Sequence, residues 1–364
     1  MSERPGAIAD IGQPGKAPLG PDAAARRRPT MIEVAAEAGV SQTTVSLVLN
    51  DAQGARLSTE TRERVFEAAR RLGYRLARRN APALAGAATI GFVVNELSTD
   101  PWTAIAMDGA RDKAWEHGLT ISAAVTRGDA EMEQAVLAQM TAQPMLGLIY
   151  GTINTRRITP PRALYRVPTV LLNCYVADRS LPSVVPSEVA GGHVATRRLI
   201  RAGHRRIGYI NGEALMDACR DRLKGYRQAL AAADLPYDPD LVRPGNWEPS
   251  AGYEQTFALM RLAEPPTAIF CANDLMAVGC IEALKEMGRR VPEDVAVVGY
   301  DDREIAQFTH PPLTTVLLPH YEMGAEAAAY LIDYARRPPA RPPQIKVECP
   351  LIERKSVAPG GGEA

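Results

Sequence analysis

Residues 30–50 read TMIEVAAEAGVSQTTVSLVLN and predict two short helices joined by a tight turn. Thr30 and Glu33 have the spacing of a capping box, in which each side chain bonds the backbone amide of the other residue. Gly39 is placed to end the first helix, and Ser41 is suited to cap the second. A helix held at an angle to its neighbour by a turn of three to four residues fits the DNA major groove. An ordinary helical hairpin with capped ends would share these signals.

A third helix follows, and it makes the segment a three-helix unit. Ser58 is a suitable cap for STETRERVFEAARRLGY, and Gly73 is placed to close it. In the second helix the apolar residues Val45, Val48 and Leu49 are expected to face this unit's core. The positions left to face outward are Gln42, Thr43, Ser46, Leu47 and Asn50.

The charge of the segment agrees with binding to nucleic acid. Residues 26–80 contain eleven arginines, no lysines and six acidic residues, whereas the whole chain balances 42 basic against 42 acidic residues. Neutralisation of phosphates supplies most non-specific DNA affinity and weakens steeply with salt. A solvated helix surface explains a few arginines, but it does not explain this bias of sign beside a helix-turn-helix.

Length and composition indicate a multidomain globular protein. With 364 residues, 46% of them hydrophobic and 23% charged, the chain is long enough for two or three domains.

Residues 1–28 are rich in Gly, Pro and Ala, so we expect a disordered tail, and they lack the apolar core of a secretory signal. No apolar run is long enough to span a bilayer. Five scattered cysteines are typical of buried thiols in a reducing cytoplasm rather than of disulfides or zinc ligands.

From residue 89 onward, short apolar runs alternate with helix-like segments. The runs lie at 89–94, 120–126, 146–150, 169–173, 206–210, 268–272 and 295–299. Such alternation predicts parallel, doubly wound sheets with helices on both faces, and there are too many units for one small sheet. We therefore expect an α/β core of two lobes, with a ligand bound beyond the carboxyl ends of the strands. Residues at nearly every strand end are polar or aromatic, although Asn and Asp there also serve as helix caps.

The sequence resembles the lactose-repressor (LacI/GalR) family of bacterial transcription regulators over roughly residues 30–355. The stretches that support the resemblance are EVAAEAGVSQTTVSLVLN, STETRERVFEAARRLGY, AGHRRIGYI, DRLKGYRQAL, FCANDLMAVGCIEAL, and VPEDVAVVGYDD followed by HPPLTTV. The resemblance implies an operator-binding head, a short hinge, and a two-lobed core like a periplasmic binding protein that binds a small effector and dimerises. The expected boundaries are a tail at 1–28, the head at 29–76, the hinge at 77–88, the effector core at 89–356 and a flexible tail at 357–364.

By position, the resemblance assigns DNA contacts to the head and hinge. Gln42 is suited to a bidentate contact with adenine, and Thr43 or Thr44 to a thymine methyl or a phosphate. Leu47 stands where many members have a basic or polar reader, so we expect apolar contact there. The full set of expected DNA-binding residues is Thr30, Ser41, Gln42, Thr43, Thr44, Ser46, Leu47, Asn50, Tyr74, Arg78, Arg79 and Leu84.

In the core, the resemblance assigns six residues to the effector cleft: Trp102, Asn173, Arg222, Trp247, Asn273 and Asp301. Arg222 matches the arginine that grips effector oxygens, and its fork of donors suits hydroxyl or carboxylate groups. Aromatic faces beside convergent Arg, Asp and Asn are typical of sugar sites. We expect a sugar, with a nucleobase or other small metabolite as the alternative.

The chain departs from the family pattern at two places. The usual Pro-Asn pair of the hinge is absent, Pro82 falls inside the expected hinge helix, and Leu84 is one place late. Because proline removes a donor and clashes with the preceding turn, insertion of Leu84 into the minor groove is in doubt. Ser187-Glu188 replaces an acid followed by a polar residue, with no consequence readable from the sequence.

The predicted function is that of a cytoplasmic, homodimeric regulator, most simply a repressor. It binds double-stranded operator DNA with an affinity controlled by the small-molecule effector. The residues after 356 show no heptad pattern, so we expect no tetramerising coiled coil. No cofactor, metal site, membrane partner or catalytic constellation is expected. The alternatives are a cytoplasmic sugar-binding protein or a sugar-modifying enzyme that has an accessory DNA-binding head.

Overall fold

The computed structural model describes residues 29–49, 57–74, 89–98, 102–336 and 341–359. The predicted tail 1–28 and the predicted hinge 77–88 lie outside these ranges. Within them the helices are α1 (Met31–Ala38), α2 (Gln42–Leu49), α3 (Thr59–Leu72), α4 (Trp102–Glu116), α5 (Ala130–Thr141), α6 (Glu188–Arg201), α7 (Asp217–Ala232), α8 (Pro249–Met260), α9 (Asp274–Glu286) and α10 (His320–Arg336). The strands are β1 (Thr89–Val94), β2 (Thr120–Val125), β3 (Met145–Arg157), β4 (Thr169–Tyr175), β5 (Ser183–Pro186), β6 (Ile207–Ile210), β7 (Val242–Arg243), β8 (Ala268–Cys271), β9 (Ala296–Val298), β10 (Thr315–Val316), β11 (Gln344–Val347) and β12 (Leu351–Ile352).

The head is the predicted three-helix unit. Its capping box is confirmed: the Glu33 amide donates to Thr30 Oγ1 at 3.3 Å, and the Thr30 amide donates to Glu33 Oε2 at 2.6 Å. Gly39 adopts φ +64°, a left-handed conformation that favours glycine, and so ends α1 as expected. A small apolar core holds the three helices together and includes Val34, Val45, Val48, Val65 and Ala68.

The first lobe is a six-stranded sheet in the order β11-β5-β4-β3-β1-β2, with every neighbouring pair parallel. Successive side chains of a strand point to opposite faces. Phe92 accordingly belongs to the apolar cluster beneath α4 and α10, while Val93 belongs to the cluster that contains Leu137 of α5. Helices therefore cover both faces, as the alternation predicted.

The second lobe is a four-stranded parallel sheet in the order β7-β6-β8-β9. Helices α6 to α9 surround it, and one apolar cluster runs through the lobe. Tyr209, Phe270 and Tyr300 are fully buried there. The predicted strands at 206–210, 268–272 and 295–299 are confirmed.

The chain passes between the lobes three times, and these crossings place the carboxyl ends of both sheets against each other. It crosses from β5 into α6, returns from β10 into α10, and leaves the first lobe again between β11 and β12. The last segment packs on the second lobe: Val357 is buried, and the Ala358 carbonyl accepts a hydrogen bond from Arg198 Nη2 at 2.9 Å. Residues 357 and 358, expected in the flexible tail, therefore belong to the packed lobe, because Val357 joins its core.

Two findings concern the cysteines and the helices of the described residues. All five cysteines are buried and unpaired. Among the described helices, none combines the length and the apolar character needed to cross a membrane.

Helices α4 and α10 pack at backbone distance, and this contact fixes the N-terminal ends of both helices beside the cleft. A methyl group added at Gly324 would overlap the carbonyl oxygen of Ala106, and one added at Gly109 would overlap that of Tyr321. The partners are backbone atoms inside helices, so neither can move aside cheaply.

We expect Gly324→Ala to destabilise the protein by about 1–3 kcal/mol, the usual cost of overpacking, despite alanine's better helix propensity. The measurement is urea-induced unfolding followed by circular dichroism. Glu326→Ala is the matched control, since Glu326 is exposed on the same helix. Equal stability of the two variants would contradict this account of the α4–α10 contact.

Candidate functional site

A cavity of about 320 Å³ lies between the two lobes. All six residues predicted for the cleft line it: Trp102, Asn173, Arg222, Trp247, Asn273 and Asp301. They come from the N-terminal end of α4, the carboxyl ends of β4, β8 and β9, helix α7 and the loop before α8. Sequence positions up to about 200 residues apart thus converge because the strands are parallel and end at one edge.

Arg222 is the most heavily bonded of these side chains. Its Nε and Nη2 donate to the two carboxylate oxygens of Glu188 at 2.7 and 2.9 Å, and Nη1 donates to the Ala272 carbonyl. The guanidinium also lies over the Tyr300 ring, 3.6 Å from its centroid. Glu188 thus occupies the side of the guanidinium that could form two parallel hydrogen bonds with a ligand. That Arg222 binds the effector stays a prediction.

Asp301 and Arg303 continue the polar wall after β9. Asp301 Oδ1 lies 3.6 Å from Arg222 Nη1, and its Oδ2 lies 3.7 Å from Arg303 Nε. Asp301 has φ +107°, which is uncommon for a residue with a Cβ and directs its carboxylate toward both arginines. Behind it, burial and the nearby Asp301 raise the pKa of Asp274 well above its usual range.

Trp247 forms one aromatic wall. Asn273 fixes its position, since Asn273 Nδ2 donates to the Trp247 carbonyl at 2.8 Å and Asn273 Oδ1 caps α9 by accepting from the Met276 amide at 2.8 Å. A methyl group at Gly212 would overlap the indole, so that glycine makes room for the ring. Within the described residues Trp247 Nε1 has no hydrogen-bond partner, although it is buried. It is therefore a donor suited to a bound molecule.

Trp102 forms the facing aromatic wall from the first lobe. Its ring stacks on His320 with centroids 5.1 Å apart and an interplanar angle of 15°, and the Arg303 guanidinium lies 5.1 Å from its centroid. Burial, with Arg222 and Arg303 nearby, lowers the pKa of His320 to about 3. The imidazole is therefore neutral at physiological pH and adds no charge to the cleft.

Asn173 holds the rim on the side of the first lobe. It adopts φ +56° near the end of β4, Nδ2 donates to the Ile153 carbonyl at 2.8 Å, and Thr155 Oγ1 donates to its Oδ1 at 2.5 Å. These bonds join the end of β4 to the last third of β3. Asn173 and Asn273 thus combine a place in the cavity wall with the capping and loop-fixing roles that strand-end asparagines commonly have.

Sequence reasoning missed several cavity residues, of which Asn154, Thr155, Glu188 and Arg303 are polar. Glu188 stood out only as a departure from the family pattern. Arg303 follows the GYDD motif directly and could have been found by extending that strand end by one residue. The sequence gave no signal at Thr155, because β3 continues to Arg157 whereas the predicted apolar run ends at residue 150.

The head lies against the first lobe of the same chain, and the recognition helix α2 faces that contact. Gln42 Nε2 donates to both carboxylate oxygens of Glu322 at 2.9 Å, and Ser46 Oγ donates to Asp108 Oδ2 at 3.2 Å. Gln42 and Ser46 do point away from the head's own core, as predicted. They are nevertheless buried rather than solvent-facing, because α4 and α10 cover them.

The remaining predicted DNA-binding residues fall into three groups. Ser41 and Thr44 are buried within the head, where the Thr44 amide donates to Ser41 Oγ at 3.1 Å, so neither hydroxyl faces outward. Thr30, Thr43, Leu47 and Tyr74 are partly exposed, and Tyr74 contacts Tyr321 through their hydroxyls at 3.5 Å. Asn50, Arg78, Arg79 and Leu84 lie outside the described residues.

The core surface under the recognition helix is acidic. Its acidic residues are Asp108 and Asp112 on α4, both paired with Arg111, and Glu322 on α10. Tyr321 Oη donates to Asp112 Oδ2 at 2.9 Å. Burial raises the pKa of Glu322 to about 7 and raises that of Asp108 above its usual range. Contact with the head is therefore most favourable when the carboxyls of Glu322 and Asp108 are protonated.

Comparisons with known proteins agree with both halves of this arrangement. Residues 30–76 match the family described as bacterial regulatory proteins, lacI family, and residues 196–357 match a periplasmic binding protein-like domain. The transcriptional regulator CelR of Thermobifida fusca is 36% identical over 91% of this chain and 99% of its own length. The transcriptional repressor CytR of Escherichia coli K12 is 31% identical over 90% of this chain and 96% of its own.

Solved structures give the same result. A complex of the transcriptional regulator CelR with cellobiose has a TM-score of 0.62 at 34% identity, covering 90% of this chain and all of that one. The lac repressor dimer bound to operator and an anti-inducer has a TM-score of 0.62 at 28% identity, covering 91% and 99%. These relatives are transcription regulators and not enzymes. The match of residues 30–76 and the identity to CelR over nearly the whole chain show that the chain belongs to the LacI family of bacterial transcription regulators.

Proposed function

We propose that this protein is a homodimeric, cytoplasmic repressor whose affinity for operator DNA is set by a sugar bound between its two lobes. The observation that supports it most directly is the cavity between the lobes, in which two tryptophans face a set of convergent polar groups, on a chain that also has a helix-turn-helix head. A sugar presents an apolar ring face for stacking and hydroxyls for hydrogen bonds, which suits such a wall. The solved complex of the related CelR with cellobiose supports the same class of ligand.

Control of DNA binding follows from the connections between lobes. A ligand that contacts Trp102 on one lobe and Trp247 on the other favours one angle between them. In a dimer, that angle sets the spacing of two heads on a near-palindromic operator. A coupling of about 1–3 kcal/mol changes operator affinity about 5- to 150-fold.

The experiment that tests the function is operator binding by the full-length protein in the presence of a sugar panel that includes cellobiose. We expect retardation of DNA from the protein's own upstream region, a change of at least fivefold with one sugar, and a dimer by light scattering. Failure to bind that DNA under all conditions would refute the proposal, as would turnover of a sugar by the protein.

A first prediction concerns the aromatic wall. We expect Trp247→Ala to weaken sugar binding at least about tenfold, or about 1.4 kcal/mol, because stacking area and the indole donor are both lost. Isothermal titration calorimetry measures it. Trp115→Ala is the matched control, since Trp115 is an exposed tryptophan of α4 outside the cavity. Similar losses in the two variants would remove Trp247 from the site.

A second prediction concerns base reading. Leu47 has no hydrogen-bonding group, so we expect Leu47→Arg to change the preferred operator bases more than the total affinity, since arginine favours guanine. Selection from a randomised operator library by each protein is the measurement. Identical selected sequences would show that Leu47 does not contact base edges.

A third prediction follows from the contact between head and core. Gln42 cannot bond both Glu322 and a base, so we expect the head to leave the core before it binds DNA. The docked carboxyl of Glu322 has a pKa of about 7, against an ordinary value of 4.5 once it is released into water. Docking therefore binds a proton, is favoured by acid, and weakens as pH rises from about 4.5 to 7. Asp108, whose pKa is also raised, acts in the same direction.

Operator affinity should accordingly rise between pH 5 and pH 8 at constant ionic strength. Glu322→Gln mimics the protonated carboxyl, so it should flatten this dependence and bind DNA at least about threefold more weakly than the native protein at pH 8. Glu326→Gln removes the same charge from an exposed position of α10 and is the control. A Glu322→Gln variant with the native pH profile would mean that docking does not compete with DNA.

A further inference from the structure

The charged groups in the wall of the cavity balance. Arg222 and Arg303 supply two positive charges, and Glu188 and Asp301 supply two negative ones. His320, stacked behind Trp102, has a pKa of about 3 and is neutral. Asp274 lies behind Gly299, outside the lining, and burial favours its protonated form. The cavity therefore has no net charge to attract an ion of either sign.

Glu188 occupies the Arg222 guanidinium, which is the group in this wall best suited to bind an anion. It is the first residue of α6, and it and Arg222 are each only 3% exposed. Their two bonds, at 2.7 and 2.9 Å, are the fork-to-carboxylate arrangement that an arginine otherwise offers to a ligand carboxylate or phosphate. An anionic ligand would have to compete with a carboxylate already in place.

Few donors of Arg222 remain. A guanidinium has five N–H groups; two bond Glu188 and a third bonds the Ala272 carbonyl, which leaves two. These two are single N–H groups on different nitrogens, and the one on Nη1 lies toward Asp301. Single donors suit hydroxyl oxygens, whereas a carboxylate or phosphate gains most from a paired fork.

An anion would also meet repulsion. Displacing Glu188 from Arg222 leaves a buried carboxylate without its partner, which is strongly unfavourable. Binding without displacement brings the anion close to the carboxylates of both Glu188 and Asp301 at low dielectric. A neutral polyol meets neither cost, because its hydroxyls are able to accept from the two remaining N–H groups of Arg222 and to donate to the carboxylate oxygens.

We propose that Glu188 sets the charge selectivity of the cleft: by occupying the Arg222 fork it restricts the effector to uncharged polyhydroxylated molecules and rejects their carboxylate and phosphate derivatives. The inference rests on the proposed role of this cavity as the effector site. It gives a physical consequence to the place where the chain departs from its family.

The test uses inorganic phosphate as the probe, with the full-length protein at constant ionic strength set by chloride. Native protein, Glu188→Gln, and the double variant Glu188→Gln with Arg222→Gln are titrated by calorimetry and by thermal unfolding. We expect Glu188→Gln to bind phosphate saturably and at least tenfold more tightly than the native protein and the double variant do. The arginine-rich head is the same in all three, so phosphate bound there cancels.

The Asp301→Asn variant distinguishes two causes of a gain in phosphate affinity: release of the Arg222 guanidinium and loss of one negative charge. It removes one negative charge from the wall but leaves the Arg222–Glu188 pair intact, so it should gain much less phosphate affinity than Glu188→Gln. Equal gains would overturn the proposal in favour of charge alone. A folded Glu188→Gln protein, checked by circular dichroism, that binds no phosphate would also overturn it.

A measurement on the native protein keeps the proposal falsifiable should Glu188→Gln fail to fold. Glucose is compared with glucuronate and glucose 6-phosphate, and cellobiose with cellobionate. Tighter binding of any charged member than of its neutral parent overturns the proposal, and rejection of the charged members supports it. None of these titrations contains DNA. If they come out as expected while no sugar changes operator binding, the proposed function fails and the assignment to Glu188 stands.

Discussion

The buried guanidinium of Arg222 is the interaction on which the geometry of the cleft depends. It joins the first turn of α6 through Glu188, the end of β8 through the Ala272 carbonyl and the segment after β9 through Asp301, and it packs on Tyr300. A charge this deep in the protein is tolerated only with good partners, and loss of one partner leaves the other charge exposed to a low dielectric. The same bonds therefore fix four segments of the second lobe and determine what the cleft can bind.

Much of this cleft could be predicted from the sequence because parallel sheets follow simple rules. Strands run in one direction, so polar residues just after them meet at one edge, and Trp102, Asn173, Asn273 and Asp301 were found by that argument together with the family resemblance. The capping box at Thr30 was also predictable, since it depends on spacing alone. Positive φ at Asn173, Trp247 and Asp301 shows the backbone cost of turning several of these side chains inward.

Other features depend on contacts that leave no trace in local sequence. The pair of Glu188 with Arg222 spans 34 positions, and nothing in either helix pattern requires it. Strands such as β7, β10 and β12 have two residues each, too few to show any period. The covering of Gln42 by Glu322 joins residues 280 positions apart and depends on how two folded units meet.

The contact with Glu322 uses the same Gln42 side-chain amide that is expected to bind DNA. Gln42 is the side chain of α2 best suited to read adenine, yet in this structure its two N–H groups face the carboxylate of Glu322. A glutamate imitates the acceptors of a base edge or a phosphate, so an acidic core surface is a natural competitor of DNA for the same helix. The competitor is intramolecular, and its strength is limited by the cost of burying Glu322 in its charged form. The raised pKa of that carboxyl indicates that this contact is weak at neutral pH, as it must be if α2 is also to bind DNA.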